Sequence, residues 1–382
     1  MKLYRTFILL VIILSVQGCV TKFMPDIEES SEMLVVEGMI TDQPETNRLR
    51  LSKSLPLGKK ANIKPIPGCT VTITDDLDNL WMLEDAGNGY YITDSTQFTG
   101  VVGRTYILHI QSNGKLPHNY SYESVPMELK PVPVIDELYW ERVLIEPANE
   151  ESVAKEGCTI YLNTHDHTGE CEYFRWDYTE TWEVRLPYDV PNKLCWATNK
   201  STGIMIKNTG LLSENNVSRY PLNFVSNETD RLEDKYSIHV NQYSINETEF
   251  GYWDNMQRIS EQTGNLYDVI PASIQGNIYC VDDPTEIVLG YFSVSGKASR
   301  RIFIEDTFSG LVPLYRECPV HPPIPYGQPV PSLGLYVWII ADGRLEKPPY
   351  ITYTDKKFCA DCTVRGSKVK PSFWDDDNPD QR

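Results

Sequence analysis

Histidine is scarce in this chain, six residues in 382, and there is no cluster of basic residues. With 35 Lys+Arg against 53 Asp+Glu, the formal charge is −18. Nucleic-acid binding is excluded on this count, because neutralising phosphates takes clustered Lys and Arg. Docking on anionic lipid through a basic patch is excluded for the same reason. Methionine is also sparse at eight residues, whereas 23 Tyr, 26 Pro and 23 Gly favour strands and turns over helices. Beyond Leu14 no apolar run approaches the ~20 residues of a membrane-spanning helix. The G-x-S-x-G elbow, the P-loop, H-E-x-x-H and the dinucleotide-binding fingerprint are missing too, so no catalytic residue, cofactor or metal is expected. What remains is 41% hydrophobic and 11% aromatic residues, enough to fill real cores and to exclude wholesale disorder. The length suits two domains, since single cores stop growing at roughly 250–300 residues.

The first residues carry an address. Lys2 and Arg5 precede the apolar run Phe7 to Leu14, and Val16-Gln17-Gly18-Cys19 follows, the layout of a secretory signal peptide. Gly18 before Cys19 resembles a bacterial lipobox, although Gln17 is less usual there. Residues 1–18 are therefore expected to be removed and Cys19 to carry lipid, which anchors the protein without threading it through the bilayer. Residues 19–32, with Pro25, Asp26, Glu28 and Glu29, form an acidic tether that also suits a surface-export signal.

Two β-rich, sandwich-like domains are expected after the tether. Over 33–125, Leu34 to Ile40 reads as a strand, and in Gly68 to Thr74 the residues Cys69, Val71 and Ile73 alternate with threonines. The acidic stretch Asp75 to Asn79 reads as a hairpin turn, since it lacks the ligand spacing of a calcium loop. Pro126, Pro131 and Pro133 make 126–133 a stiff connector. Over 134–374 come the strands Gly157 to Leu162 and Tyr173 to Glu183, then one amphipathic helix near 246–263. Its half with Phe250, Tyr252, Trp253, Met256 and Ile259 is apolar, and Asp254, Asn255, Arg258, Glu261 and Gln262 lie opposite. Residues 375–382 form an acidic tail.

Apart from Cys19, eight cysteines remain, an even number that favours disulfides in an exported chain. Cys69 and Cys158 share faces with apolar residues and read as buried thiols, which leaves Cys171, Cys195, Cys280, Cys318, Cys359 and Cys362 as disulfide candidates. Cys359-Ala360-Asp361-Cys362 also admits a redox site or, with Cys318 and His321, a zinc site. His165-Asp166-His167 is the one tight histidine pair, and its neighbours read as an exposed turn. Trp140, Trp176, Trp182, Trp196, Trp253 and Trp338 divide between core packing and an exposed sugar- or protein-binding patch. Asp94-Ser95-Thr96 resembles a bacterial O-glycosylation sequon, with Ser95 as acceptor.

The blocks Leu34-Val35-Val36-Glu37-Gly38, Tyr173-Phe174-Arg175-Trp176, Glu180-Thr181-Trp182-Glu183, Gly276-Asn277-Ile278, Leu289-Gly290-Tyr291-Phe292, Cys359-Ala360-Asp361-Cys362 and Phe373-Trp374, in this order, resemble domain-of-unknown-function family 4249. The resemblance implies a Bacteroidota outer-membrane lipoprotein encoded beside a TonB-dependent transporter of the starch-utilisation type. Gly68-Cys69-Thr70-Val71 and Gly87-Asn88-Gly89-Tyr90 resemble the transthyretin-like, carboxypeptidase-regulatory sandwich, with Cys69 where Ala is usual. The expectation is a lipid-anchored, surface-facing, non-catalytic accessory subunit of that transporter. The alternative is a stand-alone glycan- or peptide-binding lipoprotein.

Overall fold

The computed structural model describes residues 33–375 apart from 55–63, 117, 146–154, 189, 213–214, 263–273, 309–310, 312–317, 319–320, 326, 330–337 and 341–349. The expected signal peptide, Cys19 and the expected tether, together with Gly264 and most of the acidic tail, lie outside the described residues. The chain is mainly β, with one α-helix among the described residues.

In the first sandwich, one sheet runs in the order Leu289–Ser295, Leu34–Thr41, Arg48–Lys53, Tyr90–Ile92, Glu84–Gly87, and the other Ile278–Cys280, Ser121–Ser124, Thr105–Gln111, Thr70–Asp75, Leu80–Met82. Alternation makes the core: Val36, Leu49, Leu51, Val71, Ile73, Leu108 and Ile110 point inward and are almost fully buried. Asp75 to Asn79 is a hairpin turn. The Asp75 carboxylate accepts from the backbone N–H groups of Leu77 and Asn79, and Asp78 takes the left-handed backbone with φ 62°.

The second unit packs the sheet Ile135–Ile145, Lys155–His165, Asn216–Ser226 against the sheet Leu194–Lys200, Tyr173–Arg185, Tyr236–Ile245, Lys297–Ile304. Phe174, Trp176, Val184, Ile238, Val240 and Ile302 fill the space between them. A third, small sheet pairs His321–Pro325, Tyr350–Thr354 and Trp338–Ile340.

The expectation of one contiguous unit over 134–374 fails at 277–295. Ile278–Cys280 pairs with Ser121–Ser124, and Leu289–Ser295 lies parallel to Leu34–Thr41, so this segment completes the first sandwich. The cause is burial: Leu34, Val36 and Ile40 sit at a sheet edge that Tyr291, Phe292 and Val294 cover. The chain then crosses back at Gly296, whose N–H donates to the Lys130 carbonyl of the connector, and Lys297–Ile304 joins the second unit. Nearby, the Gln242 side chain donates to the Pro133 carbonyl, so two crossings of the chain are tied at one point.

Disulfides join Cys195 to Cys362 and Cys318 to Cys359. The C-x-x-C pair is thus split between two bridges, so neither the redox nor the zinc reading survives. Cys171 and Cys280 are a correction to the expected set. Both are buried free thiols, and they belong to different cores, Cys171 to the second and Cys280 to the first, too far apart to meet. Burial pushes the Cys158 and Cys171 thiols up to about 12 and raises that of Cys69. Alkylating the denatured, unreduced soluble protein that starts after Cys19 is expected to label four cysteines, 69, 158, 171 and 280, and intact mass reads the number directly. Two labels would restore the three-bridge framework.

Candidate functional site

The site is assembled from residues that the alternation turns away from both cores. In Arg48–Lys53, Leu49 and Leu51 point inward, so Arg48 and Arg50 face out. In Tyr173–Arg185, Phe174 and Trp176 fill the second core, so Arg175 and Asp177 face out toward the first sandwich. Between these faces runs a cleft of about 550 Å³, also lined by Glu37, Met39, Tyr90, Tyr243, Tyr252, Trp253, Met256, Tyr291 and Ser293. The volume is that of a small-molecule site, about 300–1,000 Å³.

The helix Glu247–Gln262 closes one side. Asn246 caps it, its side-chain oxygen accepting from the Glu249 N–H at 2.8 Å. Phe250 packs on Tyr173, while Tyr252 packs on Trp253 and Tyr291. The expected apolar side of this helix therefore docks on protein. It also carries Glu249, the most buried side chain of the helix at 0% exposure. Glu249 Oε1 accepts from the Ser293 hydroxyl at 2.7 Å and from Trp253 Nε1 at 3.1 Å. Its Oε2 has no hydrogen-bond partner, nor has the Tyr291 hydroxyl or Arg50 Nε. Burial holds the Glu249 carboxyl above the usual carboxylate range, against the pull of the Arg175 guanidinium 3.7 Å away.

Arg175 lies 4.5 Å from the Trp253 ring and 5.4 Å from the Tyr243 ring, held by cation–π contact. The Asp177 oxygens accept from Asn241 Nδ2 at 2.7 Å and from the Tyr243 hydroxyl at 3.0 Å. Glu45 at the rim accepts from Lys297 Nζ at 2.7 and 2.9 Å.

Glu249 makes a pH prediction. Its folded carboxyl binds a proton more tightly than the unfolded one, so the native state holds more protons once pH rises above the unfolded value near 4.5. Stability is therefore lost as pH rises through that window and stays lower above it. Glu249→Gln removes the titration. Its melting temperature is expected to gain on the wild type as pH rises from 4 to 8. Parallel melting curves across that range would refute the assignment.

The other sequence-singled residues lie elsewhere. Trp176, Trp182 and Trp196 are buried, Trp140 packs on Phe308, the Trp338 side chain lies outside the described residues, and among the described tryptophans named above only Trp253 lines the cleft. Ser95 is half-buried in a turn whose Asp94 carboxylate accepts from the Thr96 N–H and hydroxyl. His165 ends a strand, its Nδ1 on Asp136 and its Nε2 against His167. No group of three or more metal-ligating side chains gathers among the described residues. Thr74 Oγ1, His109 and Glu123 form a hydroxyl–imidazole–carboxylate chain, with contacts of 2.8 and 3.1 Å. They stand on an open sheet face, whereas such a relay works beside a concave oxyanion site, and we assign the chain to cross-strand packing.

Glu249 and the arginines were missed as site residues. Their signals are the i, i+4 and i+7 spacing of Glu249, Trp253 and Met256, and the strict Arg-Leu-Arg-Leu alternation over 48–51.

No curated protein matches the chain. A family model, described as a domain of unknown function (DUF4249), matches residues 20–301, which takes in every residue of the cleft and stops short of Cys359-Ala360-Asp361-Cys362 and Phe373-Trp374. The chain belongs to this family, DUF4249.

Proposed function

We propose that the protein is a lipid-anchored, surface-facing binding subunit of the outer membrane, non-catalytic itself, that works with a TonB-dependent transporter. The observation that carries the reading is the cleft of about 550 Å³ between the two units, with aromatic walls and buried polar atoms that have no partner within the protein. The Gly18-Cys19 lipobox supports the anchor, and two disulfides suit an oxidising compartment outside the cytoplasm. Confined to the membrane plane by its lipid, such a subunit meets its transporter at high effective concentration, so a weak interface suffices. The cleft equally favours the stand-alone binder as a second reading.

The test is a tagged pull-down from gently solubilised outer membranes, with Cys19→Ala as control. Stoichiometric recovery of a TonB-dependent transporter with the lipidated form alone is the expected result. Recovery of the protein by itself in repeated mild detergents would remove the transporter from the reading and leave the stand-alone binder.

A further inference from the structure

Charge pairing inside the cleft is uneven. Of its acids, Glu45 is ion-paired with Lys297, and Asp177 keeps its charge while its oxygens accept from Asn241 and Tyr243. Glu37 is exposed and stands opposite Arg50 in the strand register, without an ion pair between them. The cations are the reverse case. The side chains of Arg48, Arg50 and Arg175 line the cleft, and among the described residues none of the three donates a side-chain hydrogen bond, although Arg175 forms an ion pair with Glu249. Arg50 lies 5.3 Å from the Tyr90 ring, and Arg175 is stacked on Trp253 with its side chain 18% exposed. A guanidinium has five N–H donors, and a stacked one has already lost the freedom to turn away. Glu249 pairs with Arg175 across 3.7 Å, an ion pair beyond hydrogen-bond reach that leaves the guanidinium N–H donors without a protein acceptor. Three arginines with unused N–H donors on one aromatic-walled cleft, two of them fixed against rings, offer a directional site for an anionic acceptor even though three acids share the lining.

We propose that the cleft binds a small carboxylate on a ring body, with Arg175 holding the carboxylate, Arg48 and Arg50 supplying further donors, and the aromatic walls taking the ring. This deepens the binding reading above and rests on it. A bidentate guanidinium–carboxylate contact fixes orientation, and the ring face adds area against Tyr90 and Trp253. An acidic sugar and an aromatic acid share this chemistry.

The test is calorimetric titration of the soluble chain starting after Cys19 with digalacturonate, with a neutral disaccharide of the same size, and with 4-hydroxybenzoate. The expected result is binding of a carboxylate probe, at least tenfold weaker in Arg175→Gln, weakened several-fold in the exposed variant Arg48→Gln, and weakened by added salt. Which carboxylate binds assigns the ring as sugar or aromatic. Equal binding of the neutral disaccharide, untouched by either substitution, overturns the anionic inference and leaves the cleft as a binding site. Absence of binding by every probe at 10 mM overturns it as well, while the pull-down still judges the transporter reading on its own.

Discussion

Gly276→Ala is expected to destabilise the protein by more than about 4 kcal/mol, the class of effect that marks a forced backbone rearrangement. A Cβ at Gly276 lands 1.6 Å from the Gly290 carbonyl oxygen, and that atom belongs to the backbone, so no rotamer relieves the clash. Gly290 cannot yield either. It holds φ +90°, and a Cβ there would lie 2.0 Å from the Val36 carbonyl oxygen. Around this contact the Asn277 side chain donates to the Phe292 carbonyl at 2.7 Å and accepts from its N–H at 2.9 Å. Relief of the clash means parting 276–278 from 289–292, which exposes Ile278, Cys280, Phe292 and Val294. It also displaces Tyr291 and Ser293, so the cleft is lost together with the sandwich. Against a total stability of about 5–15 kcal/mol, such a loss leaves little folded protein at 37 °C. Gly203→Ala, where an added Cβ meets nothing within 4 Å, is the control and should change little. A Gly276→Ala midpoint in urea close to that control would show that the two segments part easily.

That contact also explains what could and could not be read from the chain. Local patterns were legible because their physics is local. The alternation of Cys69, Val71 and Ile73, the turn at Asp75 to Asn79 and the helix at Glu247–Gln262 each rest on neighbours a few residues apart. The return of Leu289–Ser295 to Leu34–Thr41 was not legible, since that strand reads like the one after it, and only the empty edge of a distant sheet separates their fates. The same holds for the cleft. Trp253 and the arginines each announced a face, but their convergence depends on the two units docking at Gly296 and the 126–133 connector. Glu249 was hidden differently: a carboxylate on an apolar face breaks the pattern that identifies the face, and such breaks belong to functional or strained sites. For the cysteines, strand alternation set Cys69 and Cys158 aside as buried thiols but could not tell that Cys171 and Cys280 are free as well, nor which partners the other four take, which the fold alone decides.

Removing the Cys195–Cys362 bridge by alanine at both positions is expected to cost about 3–5 kcal/mol. The two cysteines are 167 residues apart, and chain-entropy arguments give about 5 kcal/mol for closing so long a loop. The bridge ties down a C-terminal strap that crosses the sheet. Trp196 and Ser367 exchange backbone hydrogen bonds at 2.9 Å, Arg365 pairs with Asp230, and Trp374 is buried on Phe303 with its Nε1 donating to Glu183 at 3.0 Å. These contacts are many but lie at one end of the chain, where fraying costs little entropy to begin. The covalent link sits inside the second core, so without it the strap is held by the Trp374 packing and its hydrogen bonds and ion pair alone. The double variant is therefore expected to lower the melting temperature and to open first within 357–375, as limited proteolysis would locate. Reductant should lower the wild-type melting temperature by a similar amount while moving that of the variant less, because only Cys318–Cys359 is left to break. Unchanged melting and an intact strap would mean that Trp374 and Arg365 carry the attachment by themselves. The family match covers residues 20–301, and the bridge fastens the strap to that region through Cys195.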